Sequence, residues 1–168
     1  MKRRRLIGVR AWLVSALLLC AVASVAVAPR PASAATPQFV GVATYTFDGN
    51  VAVLTANQVQ NFRAFGISGT LHLELWAFPS PYSGSLQFGF KMAQYSLGEL
   101  TAGSYFSNIN SGPIFFLQPP NGVWYFTLAL TEYFGAPINN GFVFDDYVNF
   151  SSPVTFGPPP PPGQLQGQ

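Results

Sequence analysis

Residues 69–78 read GTLHLELWAF, and their alternation decides the fold. In an extended chain successive side chains point to opposite sides. Leu71, Leu73, Leu75 and Ala77 therefore share one face, while His72, Glu74, Trp76 and Phe78 share the other. A helical period would scatter the leucines around the axis. The segment reads as a half-buried strand, started after Gly69 and ended by the turn residues PSPYS at 79–83.

The same chemistry recurs outward in both directions. Upstream, 39–47 (FVGVATYTF) meets 51–55 (VAVLT) across Asp48-Gly49-Asn50, a hairpin turn that Gly and Asn suit because they tolerate positive φ. Segment 56–66 (ANQVQNFRAFG) fits either a helical turn or an irregular strand. Downstream, 86–95 returns with Leu86, Phe88, Phe90 and Met92 in register, and 97–103 (LGELTAG) forms a loop. Short strands are expected near 104–109 and 113–117. After Pro119-Pro120-Asn121-Gly122, segment 123–133 places Trp124, Phe126, Leu128 and Leu130 on a core stripe, with Tyr125, Thr127 and Tyr133 opposite. A last strand spans 142–150 (FVFDDYVNF). About eight strands separated by Gly, Pro, Asn and Ser clusters predict an all-β chain, a single antiparallel β-sandwich.

Two flanks fall outside that pattern. Residues 1–34 carry a basic start (KRRRLIGVR, 2–10), an apolar run (11–28) and the small-residue box Ala32-Ser33-Ala34, which together read as a cleavable signal peptide. An uncleaved anchor competes with that reading, but Pro29 and the A-x-A box argue for cleavage, leaving no membrane span afterwards. The expected organisation is a signal peptide at 1–34, a short linker at 35–38, the β domain at 39–156 and a Pro-rich tail at 157–168 (GPPPPPGQLQGQ). Five consecutive prolines favour an extended polyproline II conformation, suited either to a spacer or to a ligand for a partner domain.

Charge narrows the function. Six of the eight Lys and Arg precede residue 35, leaving Arg63 and Lys91 against six acids, a net charge of 2 − 6 = −4. Two scattered cations cannot displace the counterions of a nucleic acid, which excludes DNA and RNA as partners. The lone cysteine, Cys20, lies in the leader, so the β domain folds without disulfides.

Catalytic chemistry is thin after residue 34. No G-x-S-x-G elbow occurs, and one histidine cannot build a multi-histidine zinc site. His72 shares a strand face with Glu74, an arrangement compatible with a base oriented by a carboxylate, but a surface or rim histidine with no catalytic duty is the expected reading. Glu74, Glu99, Glu132, Asp145 and Asp146 show no spacing that specifies a glycosidase pair. Strict alternation would put Phe142, Phe144, Asp146, Val148 and Phe150 on one apolar stripe, so the Asp146 carboxylate needs a partner. The choices are Arg63 or Lys91, a set of backbone N–H donors, a bulge that exposes Asp146, or a structural Ca2+ held with Asp145; no other cofactor is expected.

Aromatic residues are in surplus: 25 of the 134 residues after Ala34 are Phe, Tyr or Trp. Flat rings exposed on a sheet stack against sugars, and Trp76, Tyr82, Tyr125 and Tyr133, with His72 and Glu74, are the candidate binding residues. Cross-strand packing is the ordinary alternative use of such rings.

The run GTLHLELWA, PYSG, LGEL, SNINSG, PPNGVWYFTLALTEY and YVNFS, over residues 69–152, resembles β-sandwich domains of secreted bacterial proteins. That resemblance implies a fold and no particular activity. The combined expectation is a secreted, noncatalytic structural or surface-associated interaction protein, extracellular, on the cell surface or periplasmic. Its partner would be another exported protein or an envelope component. The alternatives are a carbohydrate-binding module and a secreted hydrolase.

Overall fold

The computed structural model describes residues 36–157 except 136 and 138; the signal-peptide reading and all but the first residue of the Pro-rich tail lie outside them. The chain is all-β, with strands β1 (Pro37–Asp48), β2 (Val51–Asn61), β3 (Leu71–Phe78), β4 (Phe90–Gly98), β5 (Tyr105–Asn110), β6 (Ile114–Phe115), β7 (Gly122–Tyr133), β8 (Phe142–Asn149) and β9 (Val154–Phe156). One short 3-10 turn, Asn139–Gly141, precedes β8. Among the described residues the strand count is nine rather than about eight, because β9 was not anticipated. Among the described residues no helix is long and apolar enough to cross a membrane.

Two antiparallel sheets form. The first runs β1-β2-β5, with β6 also on β2; the second runs β4-β3-β7-β8, with β9 continuing the β8 side of β7. Pro37 is buried and pairs with Asn61, so β1 takes in two residues of the stretch read as linker. The sheets face each other across a shared core. Leu54, Val59, Leu71, Leu73, Leu75, Phe126, Leu128 and Leu130 are fully shielded from solvent there, each contributing about 1.5–3 kcal/mol by burial. One end of the core is aromatic: Tyr45 meets Phe150 edge-on at 4.5 Å, and Phe47 stacks on Phe116 at 5.0 Å. Burial pushes the Tyr45 hydroxyl up to about 12.

Three bulges explain where simple alternation fails. In β1 the register slips between Val40 and Ala43. Gly41 sits there at φ +83, a backbone conformation that side chains resist, with the Asn57 side chain packed against it. The inward positions of β2 accordingly change phase, from Ala52, Leu54 and Ala56 to Val59 and Asn61. This resolves segment 56–66: its first half is strand, not helix.

In β4 one of two slips lies between the partners of Leu75 and Trp76, which makes Met92 the extra residue; the other, between the partners of Leu71 and His72, leaves Leu97 extra at the strand end. The Met92 carbonyl accepts the Leu117 N–H at 2.7 Å, stitching the edge of the second sheet to the end of β6. Segment 86–89 is not strand, because β4 begins only at Phe90; Leu86 and Phe88 are exposed instead.

The third bulge is at Asp145. Leu130 pairs with Asp146 and Thr131 with Phe144, so Asp145 is unpaired in the ladder. Phe142 and Phe144 consequently point away from the core, whereas Val148 and Phe150 pack into it. The expected single stripe from Phe142 to Phe150 is thus broken in two. Asp146 is buried, and its carboxylate accepts the N–H groups of Phe39 (2.8 Å) and Tyr147 (2.7 Å), tying β1 to β8.

Candidate functional site: an aromatic cavity on the outer sheet face

The half-buried reading of β3 holds for its inner face and fails for its outer one. Leu71 to Ala77 line the core as expected, but His72 (7%) and Glu74 (0%) on the opposite face are also buried. What covers them is a third layer built from side chains and two loops.

β7, between β3 and β8, presents only Thr127, Ala129 and Thr131 to this outer face over the middle of its length, all fully shielded. Because these are small, rings from the flanking strands close over them. Trp76 of β3 meets Phe144 of β8 edge-on at 5.6 Å, and His72 stacks on Phe142 at 4.0 Å. The 79–89 loop folds back over the same surface. Tyr82 stacks on Phe78 (5.0 Å) and packs against Phe144 (5.0 Å) and Tyr147 (4.8 Å). Its carbonyl accepts the Asn149 side-chain N–H at 2.8 Å, fixing the loop to β8.

Between this aromatic floor and the loop lies a cavity of about 670 Å3. Trp76, Phe78, Tyr82, Phe142 and Phe144 line it, with Leu86 and Phe88 at its rim, 91% and 72% exposed. Ser85, Gln87 and Asn139 are the polar side chains of its lining, which includes no charged one. Its size and ring-rich walls suit a small ligand or a short peptide segment.

Next to the cavity lies a buried charge cluster. Glu74 accepts from Lys91 (3.0 Å), the Trp76 indole N–H (2.9 Å) and the Asn139 carboxamide (3.0 Å). Lys91 also reaches Gln94 and Asn139. Lys91 and Asn139 hold the Glu74 carboxylate, and the carboxylate in turn orients the Trp76 ring through its indole N–H, so the cluster positions the cavity floor. The His72 Nδ1 is 3.7 Å from Glu74, too far for a hydrogen bond, and has no other partner. Burial outweighs the attraction of Glu74 and lowers the His72 pKa, keeping the ring neutral under Phe142.

Of the six residues singled out from sequence, Trp76 and Tyr82 line the cavity, and His72 and Glu74 belong to the cluster beside it. Tyr125 and Tyr133 do not line it. Tyr125 pairs with Phe78 in the ladder, and the half-exposed Tyr133 packs edge-on against Phe142 at 5.3 Å. Phe142 and Phe144 were missed as site residues, since only the Asp145 bulge turns them outward. The doubled aspartate in FVFDDYVNF is the sequence signal of that phase change.

The remaining carboxylates serve elsewhere. Glu132 is buried and makes a two-point ion pair with Arg63 at 2.8 and 2.6 Å, while also accepting the Gly69 N–H. Asp145 is hydrogen-bonded to Glu132; burial first, then that bond and the neighbouring charge, push it up to about 8. Carboxyls in direct contact leave no space for a glycosidic bond between them. Glu99 is exposed. Among the described residues no three His, Cys, Asp or Glu side chains gather as a metal site. Asp146, one of the two calcium candidates, spends its oxygens on backbone N–H groups.

Compared with protein-family models, curated proteins and solved structures, the chain matches none.

Proposed function

We propose that this chain is an exported, noncatalytic binding protein whose ligand enters the aromatic cavity on the outer face of the β4-β3-β7-β8 sheet. One observation carries the reading. Five rings converge on a concave space of about 670 Å3, and exposed apolar side chains rim it. Apolar side chains exposed around a concave space are costly in water and mark an interaction surface. The Arg-rich start and the A-x-A box support export, and the partner would be another exported protein or an envelope component.

The cavity lining favours a ligand that is mostly apolar and accepts few hydrogen bonds. A carbohydrate is the second reading, supported by the flat faces of Trp76 and Tyr82 among the lining residues. Sugars carry a hydroxyl on nearly every carbon, however, and Ser85, Gln87 and Asn139 offer few partners. Gln87 already donates to Ser80, and Asn139 is engaged with Glu74 and Lys91.

The deciding test is titration of the purified protein with a glycan panel and with apolar ring compounds, read by tryptophan fluorescence. Saturable binding of an apolar ligand, weakened about tenfold or more in Tyr82→Ala, is expected. Binding of glycans alone would move the carbohydrate reading to first place; binding of neither would remove the cavity as a site.

A further inference from the structure

Beside the aromatic cavity lies a polar niche that the fold leaves unsatisfied. His72 on β3 and Thr131 on β7 are direct partners in the ladder, so both point to the outer face, with Cβ atoms about 5 Å apart. Both residues are buried. The His72 Nδ1 and the Thr131 Oγ1 nevertheless have no hydrogen-bond partner within the protein. Buried polar atoms of this kind are few in folded proteins, because hydration is given up and nothing replaces it. Two of them on facing residues point to a third group that bridges them.

One side chain separates this niche from the cavity. Phe142 stacks on the His72 ring at 4.0 Å and also lines the cavity. The turn that carries it is strained: Asn139, Asn140 and Gly141 hold φ of +46, +53 and +97 in succession, a run that L side chains adopt only at a cost. Phe142 itself is half-buried. Its ring can therefore turn outward without crossing the packed core, and the niche then opens into the cavity.

Charge selects what enters. The Glu74 Oε1 lies 3.7 Å from the His72 Nδ1, and Lys91 donates to that same oxygen. A ligand carboxylate would meet Glu74 there and an ammonium would meet Lys91, so a neutral group is favoured. Burial keeps the imidazole neutral, with one ring nitrogen a donor and the other an acceptor. A hydroxyl both donates and accepts. It can thus pair with Nδ1 in either tautomer and with the Thr131 hydroxyl at the same time. The walls at Trp76 and Phe144 suit a flat ring as the body of such a ligand.

We propose that the cavity binds a phenolic compound, whose ring packs among the cavity aromatics while its hydroxyl, passing a displaced Phe142 ring, bridges the His72 Nδ1 and the Thr131 Oγ1. This rests on the reading of the cavity as a ligand site and names the ring and polar group of its ligand.

The test compares phenol with toluene, which keeps the ring and replaces the hydroxyl by a methyl group, on the full chain. A purely apolar cavity would prefer toluene, whose removal from water is the more favourable. Phenol should instead bind at least about threefold more tightly, read from the Trp76 indole N–H resonance. Thr131→Val keeps the side-chain shape and removes only an unpartnered hydroxyl, so it should fold normally. It should shift the phenol-to-toluene affinity ratio about tenfold toward toluene. His72 is the only histidine of the chain, so its imidazole nitrogens give a second readout that needs no substitution. Saturating phenol should shift the Nδ1 resonance far more than toluene does. Toluene binding as tightly as phenol, a ratio unchanged in Thr131→Val, or an unmoved Nδ1 resonance would each overturn the proposal while leaving the cavity as a site. If neither phenol nor toluene binds, the cavity reading falls with it.

Discussion

Arg63 and Glu132, 69 residues apart, meet in a parallel two-point ion pair at 2.6 and 2.8 Å, with the glutamate 1% and the arginine 21% exposed. The pair closes the β2–β3 connection onto β7. Arg63→Met leaves a buried carboxylate with the Gly69 N–H and the Asp145 carboxyl as its remaining partners. A loss of about 3 kcal/mol is expected in urea denaturation, given that removing one partner of a buried pair costs about 3–5 kcal/mol. A loss well below about 1 kcal/mol would class the contact with ordinary surface pairs.

Asp145 should give the protein a stability that declines as the pH rises from about 4 to about 8 and levels off beyond. Its proton is retained in the folded chain up to about pH 8 but leaves the unfolded chain near the ordinary 3.8. Between those values the folded state binds more protons, so raising the pH favours unfolding, at most by about 1.4 kcal/mol per pH unit. Glu132 acts oppositely at the acid end: its bonds to Arg63, Asp145 and Gly69 overcome the effect of burial and lower its pKa. Its contribution is thus present above the ordinary 4.5 and lost as pH falls through the lower folded value. His72, lowered by burial, is neutral in the folded state, and the unfolded form, near the ordinary 6.5, is largely neutral above about pH 7.5. The window from about pH 7.5 to 8 therefore separates Asp145 from His72. Asp145→Asn, whose carboxamide still donates to Glu132, should flatten the thermal-midpoint profile there; an unchanged slope would assign the decline to another group.

Asp146→Ala removes the acceptor of the Phe39 and Tyr147 N–H groups. Leaving buried donors unsatisfied costs about 1–3 kcal/mol each, so a total loss of about 3 kcal/mol is expected. Amide exchange at Phe39 should accelerate more than at Val59, in the centre of the same sheet. Equal acceleration at both would show that Asp146 does not specifically hold β1 to β8.

Gly69→Ala should be among the least tolerated small substitutions. A methyl group there would overlap the Tyr133 carbonyl oxygen and press on the Glu132 side chain. Neither a backbone carbonyl nor a residue fixed by three hydrogen bonds can yield cheaply, so a cost of about 3 kcal/mol is expected. Gly98, whose surroundings are open although its φ is +89, is the comparison: Gly98→Asn should cost under about 1 kcal/mol. Equal losses at the two sites would remove the steric argument.

The strands legible in the sequence are those whose pairing runs unbroken. β3 and β7 pair from Leu71–Glu132 to Phe78–Tyr125 without a slip, and their alternation gave the right core residues. Strand ends and phases were lost where a bulge intervenes, at Gly41, Met92 and Asp145, because period-two reasoning carries no memory of an added residue. Leu86 and Phe88 alternate like strand residues yet rim a cavity. Gly89 lies so close to the Phe78 ring that any side chain would collide with it, a tertiary constraint invisible locally. The site was half legible. Trp76 and Tyr82 stood out as rings on an outward face or turn, whereas the burial of His72 and Glu74 depends on loops that sequence periodicity does not describe.

The Asp145 bulge makes β8 a strand read in two frames. Its first half speaks to the aromatic cavity and its second half to the interior, and one unpaired residue separates the messages. A deletion of Asp145 would therefore act as a frameshift in three dimensions: Phe142 and Phe144 would be pulled from the cavity floor toward a core already full, with every other residue of the chain retained. Length variation at this position is thus tied to the cavity itself.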